Sequence, residues 1–250
     1  MCAVLIAALA VQDWGQAALQ IQPAKWKQTE TDHFVIHYSR NGDKIARRCE
    51  AMYSEIREFF GDRPDLLAGR KSRVYAFHDV EDWRRFRETI GLAWIAGVTR
   101  GQEFFYQSAS ETGAFDSKGK VQAHEMTHLI FNRFFEGKPP LWLNEGIAEY
   151  FGERKTSGIS EFRRQMSLTP RVSLERLFAA EKYPPDVQAF YAEAAIVVDF
   201  LTRTEERRKL LPAFVDSMIE QNDVAVALKI YGYNDLAEFE KAYGRYRKRF

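Results

Sequence analysis

The period of the apolar residues changes near residue 118, and this change constrains the fold more than any other feature of the chain. Before it, short β-rich runs alternate with helical segments; after it, apolar residues fall at spacings of three and four as far as the C-terminus. From Lys25 to Phe77 the pattern reads strand, helix, strand. HFVIHY (33–38) comes first, then Ile45, Cys49, Met52, Ile56 and Phe60 at helical spacing before Gly61, then Val74 to Phe77. Asp79 stands where it can cap a short helix carrying Trp83, Phe86 and Ile90, closed by Gly91, and Phe104-Phe105-Tyr106 reads as another strand. Beyond residue 118 four or five helical segments are expected, punctuated at Gly137-Lys138-Pro139-Pro140, Gly152, Pro184-Pro185 and Gly232. The fold class that follows is α+β: a small N-terminal mixed α/β subdomain (25–118), its β-sheet packed on a helical C-terminal subdomain (119–250), with a cleft between.

With 46% hydrophobic and 28% charged residues, the 250-residue chain buries a core as one large domain or two intimate subdomains, which excludes disorder as its main character. Its 36 Lys and Arg against 35 Asp and Glu leave a net charge of +1, so no global field recruits nucleic acid or an anionic membrane. The basic residues Arg245, Arg247, Lys248 and Arg249 read as a solvated helix end that offsets the macrodipole. Cys2 and Cys49 allow at most one disulfide and no short-spaced cysteine pair, so a bound metal must rely on histidine and carboxylate. The apolar run MCAVLIAALAV (1–11) is too short to span a bilayer. It reads either as a secretory signal (1–17) lacking the usual basic start, or as an ordinary apolar N-terminus. In the first reading the cut falls before Ala18, with Gly15 and Ala17 at the small-residue positions, and the protein is exported to the periplasm or beyond the cell.

The chemistry concentrates in His124-Glu125-Met126-Thr127-His128, an HExxH sequence in a segment whose apolar pattern runs through Leu129, Ile130, Phe134 and Phe135 to Gly137. Four residues of helix turn through about 400° and rise about 6 Å, which puts both imidazoles on one face where a single zinc ion can bridge them. Glu125 falls outside that row but can lean over it, where a general base is wanted. The next segment, LWLNEGIAEY (141–150), supplies carboxylates after a turn. A helix from His128 to Glu136 travels about 12 Å away, and the chain must return by as much. Residues 138–142 are therefore expected to be extended, with a second helix from near Asn144 that brings Glu145 level with the metal. Glu136 then lies too far along its own helix to ligate, and Glu153, after Gly152, faces solvent. Two histidines and Glu145 leave a fourth tetrahedral position open, as catalytic zinc sites do. Glu149, one turn on, can accept the N–H of a ligating imidazole, His124. His33, His37 and His78 lack such neighbours and read as structural or surface groups.

HEMTH followed by LWLNEGIAEYF resembles the gluzincin zinc metallopeptidases, most closely the bacterial peptidase MA-like domains. The resemblance is specific over residues 124–151; the start HFVIHY and the tail of short helices also look similar to that family. It implies a zincin-like fold, a peptide or protein substrate, zinc as cofactor, His124, His128 and Glu145 as ligands, and Glu125 as base. It also implies that Tyr191, in Phe190-Tyr191-Ala192, stabilises an oxyanion; read from the residues alone, Tyr191 fits equally as an aromatic residue on the inner face of a core helix. The strand near Phe104–Tyr106 is expected to line the cleft and pair with extended substrate. An alternative function is a silent scaffold or binding module that keeps the metal-binding fold, against which the intact Glu125 speaks.

Overall fold

The computed structural model describes residues 13–93, 95–108 and 119–248. Asp13 accepts a hydrogen bond from the Gln16 amide and starts helix α1 (Trp14–Gln20). A 3-10 turn at Pro23–Lys25 leads into β1 (Lys27–Glu30) and β2 (Phe34–Tyr38), and α2 (Gly42–Phe60) follows, ending at Gly61 with φ 71°. Then come β3 (Ser72–Phe77), α3 (Val80–Thr89) capped by the Asp79 carboxylate, β4 (Gly97–Arg100) and β5 (Glu103–Gln107). The strands form one sheet in the order β1-β2-β3-β5-β4. Its three inner strands run parallel, and β1 and β4 lie antiparallel at the two edges.

Strand alternation splits the sheet between two apolar layers. Phe34, Ile36, Val74, Ala76, Phe104 and Tyr106 face a core shared with α2 and the C-terminal helices. Tyr75, Phe77 and Phe105 face the other side, where Ala17 and Ala18 of α1 and Trp83 and Phe86 of α3 cover them. The small residues expected just before a leader cut at Ala18 are thus buried in α1, whereas residues 1–11 and Cys2 lie outside the described residues. Cys49 is buried and free, its thiol pushed up to about 12 by burial.

The second half is helical: α4 (Lys120–Phe134), α5 (Leu141–Ser167), α6 (Leu174–Phe178), α7 (Val187–Leu201), α8 (Glu205–Gln221), α9 (Val224–Leu228), a 3-10 turn at Lys229–Tyr231, and α10 (Leu236–Arg247). These are seven α-helices among the described residues, more than the four or five expected. The excess comes from α6 and α9, single turns started by the side chains of Ser173 and Asp223 and too short to show a period. One continuous apolar cluster runs from Phe34 to Tyr246, so sheet and helices share a core, and the α+β architecture closes around α4. Among the described residues no helix is long and apolar enough to cross a membrane.

Two expectations about chain ends fail for packing reasons. Gly152 does not end a helix: α5 continues through it, and its backbone first leaves helical geometry at Gly158 (φ 75°, ψ 163°). The basic C-terminus is not simply solvated either. Arg247 is 3% exposed and donates to Glu193 Oε2 at 3.4 Å, while Tyr243 and Tyr246 donate to Glu193 and Asp199 of α7. Buried carboxylates on α7 require such partners, and α10 provides them.

The other end of α4 is fixed by Arg133, 1% exposed. Its guanidinium donates to Asp65 Oδ2 at 2.7 and 3.0 Å, to the carbonyls of Leu67 (3.3 Å) and Arg70 (3.1 Å), and to Ser72 Oγ (3.0 Å). This fastens the loop between α2 and β3 to the helix that carries the histidines.

Candidate metal centre

Helix α4 holds His124, Glu125 and His128, and it ends one turn and a half after His128. Phe135 is already extended (φ −130°, ψ 133°) and Gly137 turns the chain with φ 90°. The next helix begins at Leu141, with the Pro140 carbonyl accepting the Leu143 and Asn144 amides at 3.0 Å each. The outbound helix is thus shorter than expected and the returning one starts earlier, so the non-helical link is residues 135–140, bent at Glu136 and Gly137, rather than an extended 138–142. The sum still closes: about 9 Å of helix from His128 to Phe134 is recovered by this link and by about 6 Å of α5 up to Glu145.

The crossings of α5 with its neighbours fall at two glycines, of which Gly146 leaves no room for a side chain and Gly152 would allow ordinary contact. A Cβ on Gly146 would lie 2.8 Å from the Ala194 carbonyl oxygen of α7. A Cβ on Gly152 would lie 3.4 Å from both the Lys120 carbonyl oxygen and His124 Cβ of α4. Glu145 directly precedes the first of these crossings and Glu149 lies between them, one turn apart, on the face turned to α4.

The three expected donor groups come together. His124 Nε2 lies 3.2 Å from His128 Nε2 and 3.3 Å from Glu145 Oε2, and His128 Nε2 lies 3.6 Å from that same oxygen. Two imidazole nitrogens and a carboxylate oxygen held tetrahedrally at about 2.0–2.2 Å from one ion are spaced about 3.3–3.6 Å apart. The donor set therefore fits a metal ion in both chemistry and size, and among the described residues it is the one such group found.

Each end of this triangle is held from behind. Glu149 Oε2 lies 3.3 Å from His124 Nδ1, and its Oε1 accepts from Lys120 Nζ at 2.8 Å. Lys120 also pairs with Glu153, which is 6% exposed and not solvent-facing as expected. The reason is that α5 does not stop at Gly152, so its next turn still faces α4. Glu145, 4% exposed, has its Oε1 bonded by Tyr183 Oη at 3.0 Å and by Asn144 Nδ2 at 3.3 Å. Sequence reasoning missed Tyr183; its only sequence signal is its position before Pro184-Pro185 in a loop, which says nothing about where a hydroxyl points.

Electrostatics follow from this packing. Burial disfavours the charged form of His124, but hydrogen bonds that it donates to Glu145 and Glu149 outweigh this and hold its pKa up, at about 10. Burial likewise opposes the Glu149 charge, yet His124 and Lys120 prevail and keep that carboxyl at about 2. Glu145 is held below the usual carboxylate range against its own burial by the two histidines. His124, Glu145, Glu149 and Lys120 thus form a buried cluster of mutually attracting groups, and a cation at His124 Nε2 would compete with a proton there.

A cleft of about 720 Å³ opens on this cluster, lined by Lys120, His124 and Glu125 of α4, Glu149 and Glu153 of α5, and Tyr191 of α7, with Ile95, Gly97 and Val187 among its other walls. The Glu125 carbonyl accepts from Thr99 Oγ1 at 2.9 Å, and its Cγ lies 3.0 Å from where a Gly97 Cβ would stand, so its side chain runs along β4. The Tyr191 ring centroid is 6.0 Å from that of His124, and its hydroxyl is hydrogen-bonded to Tyr183. Both phenols are pushed up, first by burial and then by the Glu145 charge, so both keep their protons. The strand at Phe104–Tyr106 cannot pair with a ligand, because β5 is flanked by β3 and β4. The edge strand beside α4 is β4, which sequence reading did not mark. His33 pairs with Glu50 at 2.7 Å, His37 stacks on Tyr75, and His78 Nδ1 is buried without a partner; none joins the cluster. No protein-family model matches the chain, and no curated protein matches it.

Proposed function

We propose that the chain is a zinc-dependent peptidase of the gluzincin kind, with a zincin-like arrangement of sheet and helices. The observation that carries the reading is the triangle of His124 Nε2, His128 Nε2 and Glu145 Oε2, sized for a tetrahedral ion, whose His124 corner lines a cleft together with Glu125. Two nitrogens and one carboxylate oxygen are the donor set of catalytic zinc sites. Zinc held there would polarise a scissile carbonyl and lower the pKa of a water toward about 7. Glu125 takes the proton of the attacking water on its carboxylate and delivers it to the leaving amine. Tyr191 turns its hydroxyl from Tyr183 and donates a hydrogen bond, keeping its proton, to the oxygen on which negative charge develops. The outer edge of β4 pairs with the main chain of an extended peptide and lays the scissile bond along Glu125. Export through the apolar N-terminal run belongs to the same proposal, with any cut placed before Asp13, because that residue caps the packed helix α1.

Metal analysis of the purified chain should give one zinc per molecule. Peptides from a mixed library should be cleaved, cleavage should stop on chelation, and it should return with zinc. A chain that takes up no zinc, or that cleaves no peptide when loaded, sinks the reading. Tyr191→Phe should lower kcat roughly 10²-fold with little change in KM, since the lost hydrogen bond acts in the transition state. A loss confined to KM would instead make Tyr191 a substrate contact.

A further inference from the structure

Tyr183 is 53% exposed, yet its hydroxyl is turned inward onto a carboxylate that is only 4% exposed. Its loop leaves little freedom for this to be incidental. Tyr183 precedes Pro184-Pro185, which drives its backbone extended, and Asp186 then caps α7 by accepting from the Ala189 amide at 3.1 Å. The ring meets Tyr191 edge to face, with centroids 6.1 Å apart. The two oxygens of Glu145 are divided between different tasks: Oε2 faces both imidazoles, while Oε1 receives the Tyr183 hydroxyl and the Asn144 amide.

We propose that Tyr183 is a positioning residue for Glu145: it occupies Oε1, so that a cation between the two histidines is held through Oε2 alone. The inference rests on the metal-site reading above and adds to it the residue that sets how the carboxylate binds. A carboxylate free to rotate can bind a cation through one oxygen or through both; one anchored by a donor on Oε1 presents the other oxygen in a fixed direction. The same hydroxyl is the partner of Tyr191, so one loop residue orders a ligand and a second tyrosine together.

The test is zinc affinity of the full chain, measured by competition with a chromophoric chelator. Tyr183→Phe should raise the dissociation constant about 10–100-fold, the range found when partners of metal ligands are removed. The thermal midpoint measured without metal should fall by no more than about 2–4 °C, because the ring stays and Asn144 still donates to Oε1. Co²⁺ gives a second readout: two bound carboxylate oxygens raise the coordination number and weaken the visible absorption of four-coordinate Co²⁺, and the variant should show that loss. Equal zinc affinity in wild type and variant overturns the role of Tyr183 and leaves the metal site standing. A wild-type chain that binds no zinc overturns both. A variant whose metal-free midpoint falls in step with its affinity overturns the role too, by making Tyr183 a support of the fold.

Discussion

Glu125→Gln should retain zinc and lose peptide hydrolysis by a factor approaching 10⁴. The amide has nearly the shape of the carboxylate, so the contacts of its stem with β4 at Gly97 and the Thr99 bond to the Glu125 carbonyl persist, and α4 keeps its place. Donor atoms on His124, His128 and Glu145 are untouched. What disappears is a group able to take a proton from the attacking water and return it to the leaving amine. General base and acid roles are each worth about 10²–10⁴, and one residue performing both places the loss at the upper end. Metal content and turnover should be measured on the same preparation. Full turnover in a zinc-loaded variant would remove Glu125 from the mechanism; zinc lost along with activity would make it a support of the site.

The largest effect on stability is expected far from the cleft. In Asp65→Ala the Arg133 guanidinium remains buried at 1% exposure without its counter-charge. Breaking a buried pair from one side costs about 3–5 kcal/mol, because the remaining ion is left unpaired in a poorly polarisable interior. For a chain of this size that lowers the thermal midpoint by roughly 6–20 °C. The pH dependence has a definite sign. Burial opposes the Asp65 charge, but Arg133 and the Leu67 amide outweigh it, so the folded-state pKa lies below the ordinary value. The contribution is therefore fully present above about pH 3.9 and is lost as pH falls through the lower folded-state pKa. Thermal melts of wild type and variant at neutral and acid pH provide the check; a neutral-pH midpoint within about 2 °C of wild type would show that the pair is replaceable.

Much of this could be read from residue types, and the parts that could not share a cause. Strands β2, β3 and β5 and helices α2 and α3 stood out because their apolar residues keep a period and Asp79, Gly61 and Gly91 mark ends. The cluster of three donors was legible because HExxH fixes two of them on one helix face and the return distance selects Glu145 over Glu149, although Glu136, set aside for its distance along the same helix, in fact lies beyond the end of α4. Strand β1, Lys27-Gln28-Thr29-Glu30, has no apolar residue; it is an edge, held by main-chain pairing that leaves no pattern in side chains. Strand β4 has four residues and is the other edge. Glu153, Arg247 and Tyr183 were misjudged or missed because each is polar and reaches a partner in another element, Lys120, Glu193 and Glu145 respectively. Polar pairing across elements has no period, so it stays invisible until the elements are in place.

Gly146 carries a consequence for how a cation would meet the chain. It lets α5 lie directly against the main chain of α7 next to Glu145, where a Cβ would come within 2.8 Å of the Ala194 carbonyl oxygen, and Glu145 and Glu149 are both buried against α4. The shape of the site is thus set as the chain folds and not as an ion arrives. An incoming cation would have little left to order, so its interaction energy would appear as affinity. A small zinc finger behaves in the opposite way, staying unfolded until loaded and using the ion to assemble its backbone.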